Sequence, residues 1–398
     1  MKNPTGVKNK PERRYDIDWL RVLAMLSVFL FHCARFFDYE DWHVKNNQLD
    51  LGLSVFVSFL GLWIMPIFFL LSGEGSYFAL SFRKSGQYIT ERLKRLVVPL
   101  LFGMFVIIAP LQVYLERVSH SQFLGSFIEF YPHYFDGFYA FGGNFAWMGI
   151  HLWFLEFLFI FSLLSLPPFL YLRKEARQQR ISRVVAFFKK PGAIFLLAVP
   201  LIIIELLVGL QPEGIGSRDA GGWSLVLYLI FFIYGYLIAS DLSFKEAIER
   251  HRRIALVMGL ITSILLITAW YSLNVLDHIF LSHFLAYVLE GVLLPTSSWF
   301  LLMAILGFGS KYLNFNNRVL EYANEAVLPF YILHQTVIVT IGFYIMNWSA
   351  GVTIKYLIIS TSSFAIIIFL YEMVRRVSWL RFLFGMRPMK RLRGHPDR

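Results

Sequence analysis

The sequence predicts an all-α, polytopic membrane protein with ten transmembrane helices and both termini in the cytoplasm. Its 398 residues are 57% hydrophobic and only 16% charged, at a mean hydropathy of +0.58, a balance that excludes an ordinary water-soluble domain. Ten apolar segments approach the roughly 20 residues that a spanning helix needs: 17–37, 51–80, 96–115, 148–172, 193–210, 223–240, 254–273, 283–308, 325–347 and 352–374. The basic residues alternate with them. With a cytoplasmic N-terminus, 31 of the 37 Lys and Arg fall on inward segments and Arg21 lies within the first helix. The other five are Arg35, Lys45, Arg117, Arg218 and Lys355, all outward. A wrong helix count would scramble that asymmetry, which follows the positive-inside rule.

The chain divides into a basic cytoplasmic segment (1–16), a transmembrane domain (17–374) and a basic cytoplasmic tail (375–398). The net charge of +11 follows from topology and suits an anionic inner leaflet, so it calls for no nucleic-acid partner. One cysteine, Cys33, excludes an internal disulfide and argues against a cysteine-based metal site, and no metal is expected. The first apolar segment reads as an uncleaved anchor.

That first segment is the most informative. It carries Asp18, Arg21, His32 and Arg35 within an arc of about 100° on a helical projection. An ionised side chain near the bilayer centre costs roughly 2.5–3.5 kcal/mol, so this stripe must face protein or water. His32 lies ~22 Å from the inner end at 1.5 Å per residue, in the outer third of the membrane. Near pH 7 an imidazole can take a proton from a hydroxyl and return it, the requirement for general-base catalysis. Arg35, one turn further on, is suited to steadying developing negative charge. Asp18 and Arg21, spaced i and i+3, can pair, and a structural ion pair is as good a reading as a ligand contact.

The second segment ends in Phe68-Phe-Leu-Leu-Ser-Gly73, followed by a buried acid, Glu74. Residues 81–95 are basic and partly amphipathic, a segment expected along the inner surface before Pro99 opens the third helix. Arg92-Leu-Lys-Arg95 offers cations suited to phosphate, although an inward basic cluster is also what topology alone would give. The outward loop 116–147 is crowded with aromatic residues, either an interfacial belt or a platform for sugar rings. The fourth segment opens with His151-Leu-Trp-Phe-Leu155, and His151 lies at a depth similar to His32. Glu156 falls 140° away from His151 and serves as support or as a structural acceptor. The inward linker 173–190 is the most basic loop, and the boundary between the seventh and eighth segments lies around Asp277–His283. In the ninth segment Glu325 and His334 project to opposite faces of a straight helix, with Pro329 between them.

No Gly-x-x-x-x-Gly-Lys-Ser/Thr loop, His-Glu-x-x-His pair or Gly-x-Ser-x-Gly elbow occurs, and no histidine has an aspartate five residues later. No internal repeat stands out.

Taken together, Asp18-Trp-Leu-Arg21 with His32, Phe68–Gly73, Arg92–Arg95 with Pro99, His151–Leu155 and Pro329–His334 resemble the acyltransferase-3 family of polytopic membrane acyltransferases. Within it they are similar to the glucan-modifying, succinyltransferase-like branch. These pieces are in order and span about 320 residues; Glu74 departs from the pattern. The resemblance implies transfer of an acyl group, of the acetyl or succinyl class, from cytoplasmic acyl-CoA to a hydroxyl of an outward-facing glycan, by a multi-pass protein of the inner (plasma) membrane. It places Arg92 and Arg95, with Arg21, toward the CoA phosphates, and His32, with Arg35 and His151, toward the acceptor. Direct transfer and a covalent acyl-histidine are both compatible with it. The alternative is a transporter or flippase for a lipid-linked or anionic solute, against which the missing repeat counts.

Overall fold

In a computed structural model the described residues are 13–173, 186–214, 216–218, 221–273 and 280–389. They are helical throughout, without a named strand. Most of the basic linker 173–190, residues 274–279 of the predicted seventh-to-eighth boundary, and the ends of both basic termini lie outside them.

The elements are α1 (Tyr15–Ala34), α2 (Leu51–Gly61), α3 (Ile64–Phe82), α4 (Ser85–Arg92), α5 (Val98–Phe105), α6 (Ile108–Ser119), α7 (Phe127–His133) and α8 (Trp153–Leu164). There follow α9 (Leu166–Leu172), α10 (Ala198–Val208), α11 (Leu225–Ser240), α12 (Leu242–Leu273), α13 (Phe280–Tyr312), α14 (Arg318–Ile345), α15 (Val352–Arg376) and α16 (Ser378–Leu383). Each of the ten predicted segments coincides with helix. Among the described residues seven spans are long and apolar enough to cross a membrane: Tyr15–Ala34, Leu51–Phe82, Ser85–Ser119, Leu242–Ser272, Tyr287–Tyr312, Arg318–Ile345 and Val352–Arg376. Ile150–Leu164 with Leu166–Leu172 makes an eighth candidate, bent by 44°. Ala193–Val208 and Leu225–Ser240 are apolar but shorter.

Proline explains the breaks. Pro66, Pro110 and Pro167 each follow an interruption, at Leu62–Trp63, Val106–Ile107 and Ser165, because a proline ring removes a donor and clashes with the carbonyl four residues back. Pro99 acts differently. Rather than opening the third segment, it follows a π turn (Leu93–Val97) that joins α4 to α5, in which the Val98 amide reaches Leu93 O. The wider turn accommodates the donor that Pro99 lacks, so the basic stretch runs on as helix instead of lying apart on the surface.

The core is a continuous apolar cluster drawing on nearly every helix. α11, although short, is deeply embedded because it crosses α3 at two glycines. A Cβ on Gly73 would sit 1.9 Å from Phe232 O, and one on Gly235 would sit 1.8 Å from Leu70 O. Only hydrogen fits at that crossing. α1 packs against α14, α3 and α15, so its polar face is turned into the protein. α14 is capped by Asn317, whose Oδ1 accepts from the Leu320 amide at 2.8 Å.

Candidate functional site

Two helices and one turn bring three histidines together. His32 comes from the last turn of α1, His151 from a 3-10 turn just before α8, and His334 from the middle of α14. The ring centroids of His32 and His334 are 4.9 Å apart, those of His151 and His334 5.0 Å, each pair edge to face. His151 and His334 are buried, and His32 is half-buried.

The partners of each ring assign its tautomer. His334 Nδ1 donates to Tyr331 O at 2.5 Å, leaving Nε2 to accept from His32 Nδ1 at 3.2 Å. His32 Nδ1 also points at Val28 O, 3.0 Å away, so it carries the hydrogen. His151 Nε2 donates to the carbonyls of Tyr331 and Ile332, each at 3.2 Å, and its Nδ1 accepts from Gln112 Nε2 at 3.3 Å. Gln112 is held in turn by Thr336 Oγ1 at 2.7 Å. One ring nitrogen of the row has no hydrogen-bond partner among the described residues: His32 Nε2.

A second histidine group adjoins the first. His43, in the loop after α1, donates through Nδ1 to Glu116 Oε2 of α6, and Tyr139 donates to the same oxygen at 2.7 Å. Burial and the Glu116 charge push the Tyr139 hydroxyl above its ordinary range, so it stays a donor. Gln335 Nε2 lies 3.2 Å from His43 Nε2. Trp42 stands between the groups, its ring 6.1 Å from His32 and 5.5 Å from His43.

Arg35 does not point at these rings. It forms ion pairs with Asp38 and Glu40, both at 2.5 Å, and donates to Asp41 O at 2.7 Å. Lys45 closes the knot on Asp38 Oδ1 at 2.6 Å and on the carbonyls of Arg35 and Asp38. Burial pushes the Asp38 carboxyl up and the Lys45 ammonium down, each opposed by its partner's charge. From the other side, the buried Lys355 ammonium holds Asn46 Oδ1 at 2.8 Å. The knot fixes the loop that carries Trp42 and His43.

The aromatic loop packs on α6 through a small core of Ala109, Val113, Phe130, Tyr134 and Ala146. It serves as a cover that delivers Tyr139 to Glu116, while Phe141 and Ile128 remain 87% and 83% exposed.

At the other end of α1, Arg21 reaches Asp18 at 3.2 Å and Asn324 Oδ1 at 3.3 Å. Arg92 donates to Ser76 Oγ at 2.8 Å and lies over the Tyr88 ring. Arg95 is exposed on the π turn, with no hydrogen bond or ion pair among the described residues. It is within electrostatic reach of Arg21, Arg92 and Arg387. The predicted inner cations therefore gather, joined by one from the tail. Glu74 is buried with one oxygen unpartnered beside a small cavity lined by Arg14, Lys245 and Ser310. Glu325 leaves the histidines altogether and pairs with Arg381 at 2.7 Å. Glu156 likewise makes no contact with His151 and keeps a buried unpartnered oxygen.

Of the side chains gathered here, sequence reasoning singled out His32 and His151, left the role of His334 undecided, and gave no role to His43, Glu116, Tyr139, Gln112 or Gln335. Position along the chain was the only signal for the ionisable pair: Glu116 falls just past the predicted segment 96–115, and His43 in the short loop between the predicted segments 17–37 and 51–80. Among the described residues no group of three or more His, Cys, Asp and Glu is arranged to hold a metal ion.

Comparison with known proteins converges on one group. The family described as an acyltransferase domain, Acyl_transf_3, matches residues 14–372. Proteins called glucans biosynthesis protein C from Escherichia coli and Shigella dysenteriae are each 24% identical to this chain over 383 residues. The matches cover 95% of this chain and 96% of theirs. No solved structure matches the chain significantly.

Proposed function

From the premise that this chain belongs to the acyltransferase-3 family and is a membrane acyltransferase, we propose that it moves an acetyl- or succinyl-class acyl group from cytoplasmic acyl-CoA to a hydroxyl of an outward-facing glycan. In this reading the chain makes ten passes through the inner membrane, with both termini cytoplasmic. The broken α8–α9 pair, α10 and α11 complete the seven longer spans.

One observation carries the proposal. A single helix, α1, bears a bare imidazole nitrogen at its outer end and, at its inner end, Arg21, which Arg92 of α4 and Arg95 of the π turn join in a guanidinium cluster. Eleven residues separate His32 from Arg21, about 16 Å along the axis at 1.5 Å per residue. CoA phosphates held by Arg92, Arg95 and Arg21 through charge-assisted hydrogen bonds would direct the thioester arm along that helix toward His32. The exposed, unpaired Arg95 is the cation freest to receive them.

At the histidine row the acceptor oxygen bonds to the thioester carbon, the carbon–sulfur bond breaks, and the hydroxyl proton passes by way of a base to the departing thiolate. His32 Nε2 is the row's reactive atom, because every other ring nitrogen already has a partner. Arg35 acts by fixing the outer loop, and His151 by holding the α14 carbonyls beside His334. A carrier would need no such bare nitrogen.

Purified protein in liposomes, given labelled acetyl-CoA or succinyl-CoA and a glucan acceptor, should move label covalently to the glycan. His32→Ala with normal membrane yield should lose transfer by at least ~10²-fold, the usual contribution of a positioned proton-transfer group. Retained turnover would remove His32 from the reaction, and solute crossing without covalent transfer would favour the carrier.

A further inference from the structure

The acyl-transfer reading leaves a group unused: the His43–Glu116 pair under Tyr139. We propose that His43 is the general base for the acceptor hydroxyl, with Glu116 as its positioning residue, and that His32 serves the donor end of the same histidine group. This rests on the acyl-transfer reading above.

Four observations carry it. First, His43 is the one ring of the four with a carboxylate behind it. Its Nδ1 donates to Glu116 Oε2, which fixes the lone pair on Nε2 and stabilises the imidazolium that forms on proton uptake. Second, the row of His32, His334 and His151 contains no carboxylate, so a proton arriving at His32 meets a further imidazole, that of His334 with its ring centroid 4.9 Å away. Third, Gln335 Nε2 sits 3.2 Å from His43 Nε2. That is the place of a hydrogen-bond donor, and an incoming hydroxyl can take it over. Fourth, the His43 side chain retains 12% exposure and Glu116 10%, and they lie in the loop and helix end that form the outward rim in the proposed topology. A glycan arriving from outside meets His43 before His32.

Other ionisable groups face the pair from each packed element. Arg117 Nη1 lies 3.4 Å from the second Glu116 oxygen, and Tyr139 holds the first. His32 and His151 lie within electrostatic reach of His43. His43, Tyr139 and Arg117 thus all direct hydrogens or positive charge at Glu116, an arrangement that suits a carboxylate behind the His43 ring.

The step balances. His43 Nε2 takes the hydroxyl proton as the acceptor oxygen bonds to the acyl carbon. The carbon–sulfur bond breaks with its electron pair on sulfur. The imidazolium then gives the proton to the thiolate, and the neutral ring bound to Glu116 is restored.

The test uses the full chain in liposomes with labelled acyl-CoA and a glucan, following kcat/KM against pH. His43→Ala should lose roughly 10²–10⁴-fold in transfer, with partial recovery on adding imidazole to the outer medium. Glu116→Gln should lower the rate and move the acid limb of the profile to lower pH, because the ring without its carboxylate releases its proton more readily. Near-normal turnover in His43→Ala overturns the proposal. So does a Glu116→Gln rate loss with an unmoved acid limb, which marks a purely structural pair. If His32→Ala abolishes transfer while His43→Ala does not, acyl transfer stands and this assignment falls.

Discussion

Arg35 shows how a residue's place can be legible while its role is not. The sequence put it on the polar stripe one turn beyond His32, where a cation facing a developing oxyanion was the natural expectation. The structure turns the guanidinium outward to Asp38 and Glu40, because those partners lie in a loop whose conformation no helical projection contains. Arg35 is only 9% exposed, and removing one partner of a buried pair costs about 3–5 kcal/mol. Arg35→Ala should therefore lower thermal stability in detergent and loosen the loop carrying Trp42 and His43, and Lys should recover less than the full effect because it lacks the planar fork. A melting temperature unchanged by Arg35→Ala would contradict the knot. His43 and Glu116 were illegible for the same reason: 73 residues apart, they meet only once α6 and the loop are in place.

Among the elements, α3 and α11 carry the sharpest constraint. The Phe68–Gly73 stretch is one of the pieces that resembles the acyltransferase-3 pattern, and its glycine has a mechanical reason. Gly73 and Gly235 let two backbones touch, as small residues do in membrane helix pairs. Overpacking usually costs 1–3 kcal/mol; here the added atom would meet backbone carbonyls, which cannot swing aside. Gly235→Leu should abolish a monodisperse peak in fluorescence-detected gel filtration, whereas Gly75→Ala, with open space around it, should leave it intact. A normal peak for Gly235→Leu would show that α11 packs elsewhere. Apolar windows placed all ten helical segments, yet they could not show that α12 and α14 begin many residues earlier, at Leu242 and Arg318. Those first turns are polar and emerge from the apolar layer, so hydropathy is blind to them. The kinks were better marked, since Pro66, Pro110 and Pro167 stand in plain view.

For the whole molecule, topology is the property that basic residues encode and helix geometry does not. The only cysteine, Cys33, is fully buried, so thiol reagents have a silent background. In spheroplasts, a membrane-impermeant maleimide should label Asn47→Cys, on a loop that the proposed topology turns outward, and should reach Lys84→Cys only after the membrane is opened. Labelling of both from one side would dismantle the ten-pass arrangement and with it the separation of donor and acceptor entrances. That separation is an expectation from the order of basic residues along the chain, and the labelling decides it. The meeting of four histidines was not readable from residue order, because it depends on packing among α1, α6, α8 and α14.

The middle of α14 has a consequence for assembly. His334, Gln335 and Thr336 are consecutive and all buried, so at 100° per residue their polar ends fan over about 200° of the helix. No rotation of this segment, taken alone, hides all three from hydrocarbon, and each exposed polar group there is costly. Its entry into the bilayer is therefore coupled to shelter from α1, α6 and the turn before α8, all synthesised earlier. The nascent chain must keep those neighbours within reach until its ninth apolar stretch emerges.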